Sequence, residues 1–210
     1  MIPTEIAKKA QQMKTSEELL ELINEIRLTS GYKGIKKIGS RQLTLYCNPN
    51  SRVTRYRSFS IPKKSGGQRE ISAPMPKLRA LLWPVKEILA SLYEPASCVM
   101  GFTACRSVVD NAKVHLGQNY VLNLDLKDFF PSIHQARIWK RLQLPPFNFT
   151  QEIANVVAGL CAIRVVDNDQ KKYVLPQGAP TSPILTNIIC EKLDRRLSAI
   201  ASKHNLRYSR

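Results

Sequence analysis

Three prolines and a glycine fall within Val174–Leu185, V-L-P-Q-G-A-P-T-S-P-I-L, and together they forbid regular structure over most of that stretch. Proline locks φ at about −65° and donates no hydrogen bond, so Pro176 and Pro180 keep the segment out of any helix interior or central strand. Gly178 adds the freedom to let the main chain approach a base or sugar closely. Ser182 and Pro183 then form a good N-cap and first-turn pair, and Ile184, Leu185, Ile188, Ile189, Leu193, Leu197 and Ile200 follow at helical spacing. The pattern predicts a stiff loop that leads directly into a long helix.

Upstream, Leu122–Ser132 reads L-N-L-D-L-K-D-F-F-P-S. From Tyr120 to Leu126 nearly every second residue is apolar, which predicts a strand that ends on the carboxylate of Asp125. A carboxylate there suits a hard cation such as Mg²⁺, which keeps several waters and needs only one or two protein carboxylates beside substrate phosphates. Asp128 lies three residues on, turned away from Asp125, and is assigned a structural or capping role. On its own, Asp-x-x-Asp is more often a solvated strand end, and Phe129 and Phe130 are core residues by default.

A third segment is basic. Tyr56 to Ile61 and Gln68 to Ala73 predict two strands joined by the turn Pro62 to Gly67, so that Lys63, Lys64 and Arg69 surround Ser65-Gly66-Gly67. Such a hairpin is suited to holding a triphosphate, although cations at a hairpin tip are often merely solvated. The whole chain leans the same way: 32 Lys plus Arg against 16 Asp plus Glu give a net charge of +16. A polyanionic partner is implied, and nucleic acid is the first candidate because no segment has the form of a basic amphipathic helix that lies on a membrane. Five cysteines without Cys-x-x-Cys spacing indicate reduced thiols rather than a disulfide framework or zinc ribbon, and no apolar run is long enough to span a bilayer. A soluble protein in the cytoplasm, with no membrane partner, is expected.

The remaining elements are helical or short. Thr15 and Glu18 form a capping box ahead of Leu19, Leu20, Leu22, Ile23 and Ile26, predicting one or two helices that end at Gly31. Leu78 to Leu92 follows a 3.6-residue period interrupted by Pro84. Ser132 or Gln135 opens a helix to Leu142, which Leu144-Pro145-Pro146 closes. Thr150 caps another to about Ile163, and Arg164–Val166 with Lys172–Leu175 flank Asp167-Asn168-Asp169 as a second hairpin. Mixed helices and strands indicate an α+β protein.

The three chemical segments together resemble the reverse transcriptases. Leu122–Ser132 resembles motif A of that family, Leu175–Pro183 resembles motif B, and Ile61-Pro62-Lys63, Gly66 and Arg69 resemble the fingers hairpin. Asn111-Ala112-Lys113-Val114-His115, with Gly101-Phe102 before it, is similar to the Asn-Ala-x-x-His element of the retron type.

The resemblance implies a right-hand polymerase fold with fingers and a partial palm, its antiparallel palm sheet flanked by helices and its thumb absent. Residues 1–50 would be an N-terminal helical extension, 51–118 fingers and the start of the palm, 119–144 palm motif A, 145–175 a fingers return segment, and 176–210 palm motif B with its helix. It implies two Mg²⁺ ions held by Asp125 and the Leu126 carbonyl, with Asp125 catalytic. Lys63, Arg69, Phe130, Gln177 and Gly178 would meet the nucleotide, Phe130 as the block against a ribose 2′-hydroxyl. Lys64, Asn111, His115, Ser182 and Pro183 would meet RNA or template. The partners implied are a structured noncoding RNA that serves as template and primer, an RNA–DNA hybrid, deoxynucleotides and a separate effector in defence against phage.

One departure matters. Tyr208-Ser209-Arg210 resembles the approach to the family's Tyr-x-Asp-Asp motif, whose aspartates do not follow, so residues 1–210 alone are expected not to polymerise. Two alternatives stay open: a non-catalytic RNA-binding module derived from a polymerase, and another bacterial reverse transcriptase of the abortive-infection or group II intron type.

Overall fold

The computed structural model describes residues 1–29, 36–63, 66–167 and 169–210. In chain order the elements are α1 (Pro3–Gln12), α2 (Ser16–Thr29), α3 (Ser40–Cys47), β1 (Tyr56–Pro62), β2 (Gln68–Pro74), α4 (Pro76–Leu92), α5 (Val108–Val114), α6 (Gln135–Leu142), α7 (Gln151–Cys161), β3 (Ile163–Asp167), β4 (Gln170–Val174) and α8 (Ser182–Lys203). Among the described residues the strands make two separate antiparallel hairpins, β1–β2 and β3–β4. The α+β reading holds, with helices dominating. No helix among the described residues is long and apolar enough to cross a membrane.

Helix starts follow the side chains that satisfy orphan N–H groups. The Thr15 N–H donates to Glu18 Oε2 at 3.1 Å while the Glu18 N–H donates to Thr15 Oγ1 at 3.3 Å, the expected capping box of α2. Those hydrogen bonds, the main-chain donors of Lys14 and Thr15 foremost, hold the Glu18 carboxyl below its usual pKa. Thr150 caps α7 as expected, its Oγ1 accepting from the Ile153 N–H at 3.3 Å. The expected end of α2 at Gly31, and the tip residues Lys64, Ser65 and Asn168, lie outside the described residues.

The core is helical. One face of α4 places Leu78, Leu81, Leu82, Val85, Ile88 and Leu89 at no more than 1% exposure, packed with Leu19 and Ile23 of α2, Ile138 and Leu142 of α6, and Ile153 and Val157 of α7. Pro84 is accommodated within α4. Helices α3 and α7 approach so closely that a Cβ on Gly159 would stand 2.0 Å from the Cys47 carbonyl oxygen, so only glycine fits there.

The β1–β2 hairpin is moored to this core by a buried cation. Arg55, 6% exposed, donates to the carbonyls of Ala162, Gly159 and Leu160 at 2.9, 2.7 and 3.0 Å, satisfying the end of α7 where no further turn follows. Burial pushes its guanidinium pKa down.

The structure corrects one central expectation. Tyr120–Leu126 does not form a strand of a palm sheet: the described residues offer it no partner, and Tyr120, Leu122 and Leu124 are 93%, 81% and 83% exposed. Alternating apolar residues make a strand only where a neighbour supplies N–H and C=O groups to pair with and a surface to cover them. The expected antiparallel palm sheet is therefore absent from the described residues.

Arg55→Ala leaves three carbonyls without their donor, and a loss of about 3 kcal/mol or more of stability is expected. Urea unfolding of the variant beside the parent protein measures it.

Candidate nucleotide and nucleic-acid site

The proline-stiffened loop is the hub of the site. The Leu175 N–H donates to the Ile133 carbonyl at 2.9 Å and His134 bridges to Val174, which ties the loop's entry to the turn that follows Asp125. Two residues on, the Gln177 carbonyl accepts the Ser72 N–H of β2 at 2.8 Å. Gly178 has φ +120°, and a Cβ there would come within 2.9 Å of Ile71 Cγ2 and 3.1 Å of the Ser72 carbonyl oxygen. The glycine was expected to let the main chain approach a base or sugar; the close approach in the structure is to the basic hairpin. Ser182 closes the loop by donating its Oγ to the Pro176 carbonyl at 2.6 Å. That corrects its assignment as N-cap: Thr181 holds the cap position without a side-chain bond, Ser182 is the first helical residue and Pro183 is in the first turn. The hydroxyl was drawn to the carbonyl across the loop instead of to the helix's own N–H groups.

Asp125 is exposed and sits in a segment without regular structure, with Leu126 52% exposed. The chain then reverses through Asp128, at φ +50°, whose carbonyl accepts the Ser132 N–H at 3.0 Å while Ser132 Oγ donates to the Phe129 carbonyl at 2.7 Å. This turn presents Phe129 and Phe130, ring centroids 6.0 Å apart, partly buried against the core. Among the described residues no group of three His, Cys, Asp or Glu side chains comes together to hold a metal ion. Asp125 and the Leu126 carbonyl alone do not complete a site for two cations.

The hairpin pairs Ile61 with Arg69 and Pro62 with Gln68, and the Lys63 N–H donates to the Gly67 carbonyl at 3.0 Å. Gly66 and Gly67 have φ of +84° and +82°, a turn that few other residues would enter. Lys63 and Arg69 are exposed at this tip, and Lys64 lies outside the described residues.

Sequence reasoning missed the base of the same hairpin. Arg57, Phe59 and Arg79 line an open cavity of about 540 Å³ with Ala73, Pro74, Met75 and Pro76. Arg57, Phe59 and Ile61 alternate along β1, and the cross-strand partner of Ile61 is Arg69, so one hairpin face carries both the tip and the cavity. The period-2 spacing of Arg57, Phe59 and Ile61 was the available signal. An exposed ring and two arginines lining one cavity suit a base and its phosphates.

A profile of the family described as reverse transcriptase (RNA-dependent DNA polymerase) matches residues 61–209. The chain belongs to that family. Its similarity within the family is to the retron type. It is 34% identical to the retron Mx65 reverse transcriptase of Myxococcus xanthus over 77% of this chain and 40% of that protein. It is 36% identical to the retron Ec86 reverse transcriptase of Escherichia coli over 74% of this chain and 46% of that one. The retron Mx162 reverse transcriptase of M. xanthus is likewise 36% identical, over 75% of this chain and 34% of its own length. The chain spans less than half the length of these curated relatives.

In this reverse transcriptase chain the Asn-Ala-x-x-His element is helical, which was not expected. Ser107 and Asp110 cap α5 reciprocally: the Asp110 N–H donates to Ser107 Oγ at 3.2 Å and the Ser107 N–H to Asp110 Oδ2 at 2.9 Å. The Ser107 hydroxyl and main chain hold the Asp110 carboxyl below its usual pKa. Asn111 Oδ1 is buried with no hydrogen-bond partner among the described residues. His115 has one: its Nε2 lies 2.6 Å from Ser209 Oγ, and Arg207 donates to the Val114 carbonyl at 2.8 Å. The segment Asn111–His115 therefore docks onto residues 207–209.

That segment is locked to α8 by a network that the sequence did not reveal. Asp194, 1% exposed, accepts two bonds from Arg210, Nε to Oδ1 at 2.9 Å and Nη2 to Oδ2 at 2.7 Å, and a third from the Tyr208 hydroxyl at 2.8 Å. Arg210 Nη1 also donates to Asn187 Oδ1 at 3.1 Å. Burial works against the Arg210 charge, yet the bonds to Asp194 more than offset it and hold the guanidinium pKa above its usual range. Asp194 and Asn187 stand seven residues apart on α8, a helical spacing that marks one face.

Two outcomes are expected here. Gly178→Ala, pressed against Ile71 and Ser72 and strained at positive φ, should lower stability by about 1–3 kcal/mol, measured by denaturant titration. Burial first, then the bond to Asp194, raises the Tyr208 pKa above the ordinary phenol value near 10. The unfolded chain therefore releases this proton at lower pH than the folded one. The contribution is complete below about pH 10 and is lost as pH climbs above it. Tyr208→Phe should flatten part of that alkaline decline in urea midpoints.

Proposed function

We propose that this chain forms the nucleotide- and template-facing half of a retron-type, RNA-directed DNA polymerase that works in the cytoplasm. The observation carrying this reading is the Ser72–Gln177 main-chain bond, because it joins the basic hairpin to the loop whose entry is stitched behind the Phe129–Phe130 turn. In this reading residues 51–118 are fingers and the start of the palm, residues 119–144 and 176–210 are palm, and residues 145–175 return to the fingers.

Lys63 and Arg69 neutralise the triphosphate of an incoming deoxynucleotide, with Lys64 beside the template strand. Gln177 and Gly178 offer main chain and amide to the nucleotide and its template base, and Phe130 excludes a 2′-hydroxyl. Ser182 and Pro183 carry the helix beneath. Asn111, with its unsatisfied oxygen, and His115 position the structured noncoding RNA near residues 207–210. Asp125 and the Leu126 carbonyl are the ligands this chain offers to Mg²⁺. When bound, the ions would activate the attacking hydroxyl and neutralise the leaving pyrophosphate. Further carboxylates are needed to complete that site. The RNA–DNA hybrid product and a separate effector protein belong to the anti-phage role that this type implies.

Residues 1–210 are expected to bind RNA without extending a primer, since one exposed carboxylate cannot align two ions. Retention of a fluorescent structured RNA, with affinity falling steeply as salt rises, supports the reading. Metal-dependent nucleotide addition by residues 1–210 alone would overturn the expectation of inactivity. In the full-length coding product, Lys63→Ala with Arg69→Ala should raise the deoxynucleotide KM at least about tenfold through loss of two phosphate contacts. Asp125→Asn should abolish extension while RNA retention persists. RNA retention by a full-length product that never extends a primer would favour the binding module instead.

A further inference from the structure

Phe102 occupies a position that its own stability does not explain. It has φ +57°, a left-handed conformation that a bulky residue enters only when its surroundings force it, and it is 64% exposed, so it gains little from burial. The force comes from both sides of the loop. The Met100 and Gly101 N–H groups donate to the Arg210 carbonyl at 2.6 and 3.1 Å, and Asn187 Nδ2 donates to the Gly101 carbonyl at 3.0 Å. Arg106 draws in the rest by donating to the Ala96 and Val99 carbonyls at 2.6 Å each. What this strained, pinned loop achieves is an aromatic contact: the Phe102 ring meets Phe130 edge-on, centroids 6.4 Å apart and planes at 61°. Phe129 supports Phe130 at 6.0 Å.

We propose that Phe102 is a positioning residue for nucleotide specificity: its edge braces the Phe130 ring and so sets how strictly deoxyribonucleotides are chosen over ribonucleotides. This rests on the reading of Phe130 as the block against the 2′-hydroxyl. A steric block discriminates only as well as it is held, because a ring free to swing makes room for one extra oxygen. The brace is held in turn by Asn187 and Arg210, so the helix α8 and the segment 207–210 both bear on the same ring.

The test uses the full-length coding product, copying an RNA template, with kcat and KM measured separately for dGTP and GTP. Phe102→Ala is expected to raise GTP efficiency relative to dGTP by roughly tenfold while dGTP kcat stays within about twofold and the thermal midpoint is unchanged. Phe102→Tyr, which keeps the ring, should restore the parent's selectivity. Phe130→Val serves as the reference for an open gate. If Phe130→Val relaxes selectivity and Phe102→Ala does not, the brace is wrong and the gate stands. Equal losses for dGTP and GTP in Phe102→Ala would likewise overturn the proposal, since they mark a merely structural role. Unchanged selectivity in Phe130→Val would sink the gate reading itself, and the brace with it.

Discussion

A single main-chain contact, Ser72 N–H to Gln177 C=O at 2.8 Å, brings the basic hairpin and the proline-stiffened loop together. It joins a hairpin that is exposed over most of its length to a loop rooted in the core between Leu175 and Ala179. Because Gly178 leaves no room for a Cβ against Ile71 and Ser72, the two backbones meet at van der Waals distance and the hairpin gains a fixed base. Arg55, immediately before β1, secures the same base by capping α7. The pair of strands is thereby held at its base and carries Lys63 and Arg69 at its tip.

A second constraint runs through the buried carboxylate of Asp194. A charge at 1% exposure is tolerated only when every oxygen is engaged, and Arg210 and Tyr208 engage both. The consequence is positional. Residues 207–210 are drawn against α8, the Arg210 main chain pairs with Cys98, Met100 and Gly101, and Ser209 meets His115. Three segments far apart in sequence are held in one place by a few polar groups. Against this order stand large apolar side chains left uncovered: Val108, Leu116, Tyr120, Leu122, Leu124 and Leu206 are 82%, 67%, 93%, 81%, 83% and 65% exposed. Side chains of this size gain about 1.5–3 kcal/mol each when buried, so these residues have much to gain from a cover.

Much of the fold was legible because its signals are local. Thr15 with Glu18, Thr150 and the two hairpins each report a structure formed within a few residues, and all appear as read. The period of α4 likewise fixes its buried face. Tyr120–Leu126 failed for the opposite reason, since a strand is a relation between segments and alternation alone does not supply the second one. Ser182 failed because a hydroxyl near a helix start has two acceptable partners, and only the folded loop puts the Pro176 carbonyl within its reach. The helix α5 was overlooked although Ser107 and Asp110 carried its capping signal.

The sequence by itself determined the identity of the chemical segments, since proline, glycine and charge at fixed spacing limit the backbone and the partner wherever the chain folds. It also determined the family, through motifs whose residues are contiguous. Only the tertiary structure decided which of those segments touch: that the Gly178 approach is made to the hairpin, that Arg79 lines one cavity with Arg57 and Phe59, that His115 meets Ser209, and that Phe102 leans on Phe130. Such contacts depend on where the buried helices place distant backbone, and no local pattern records that.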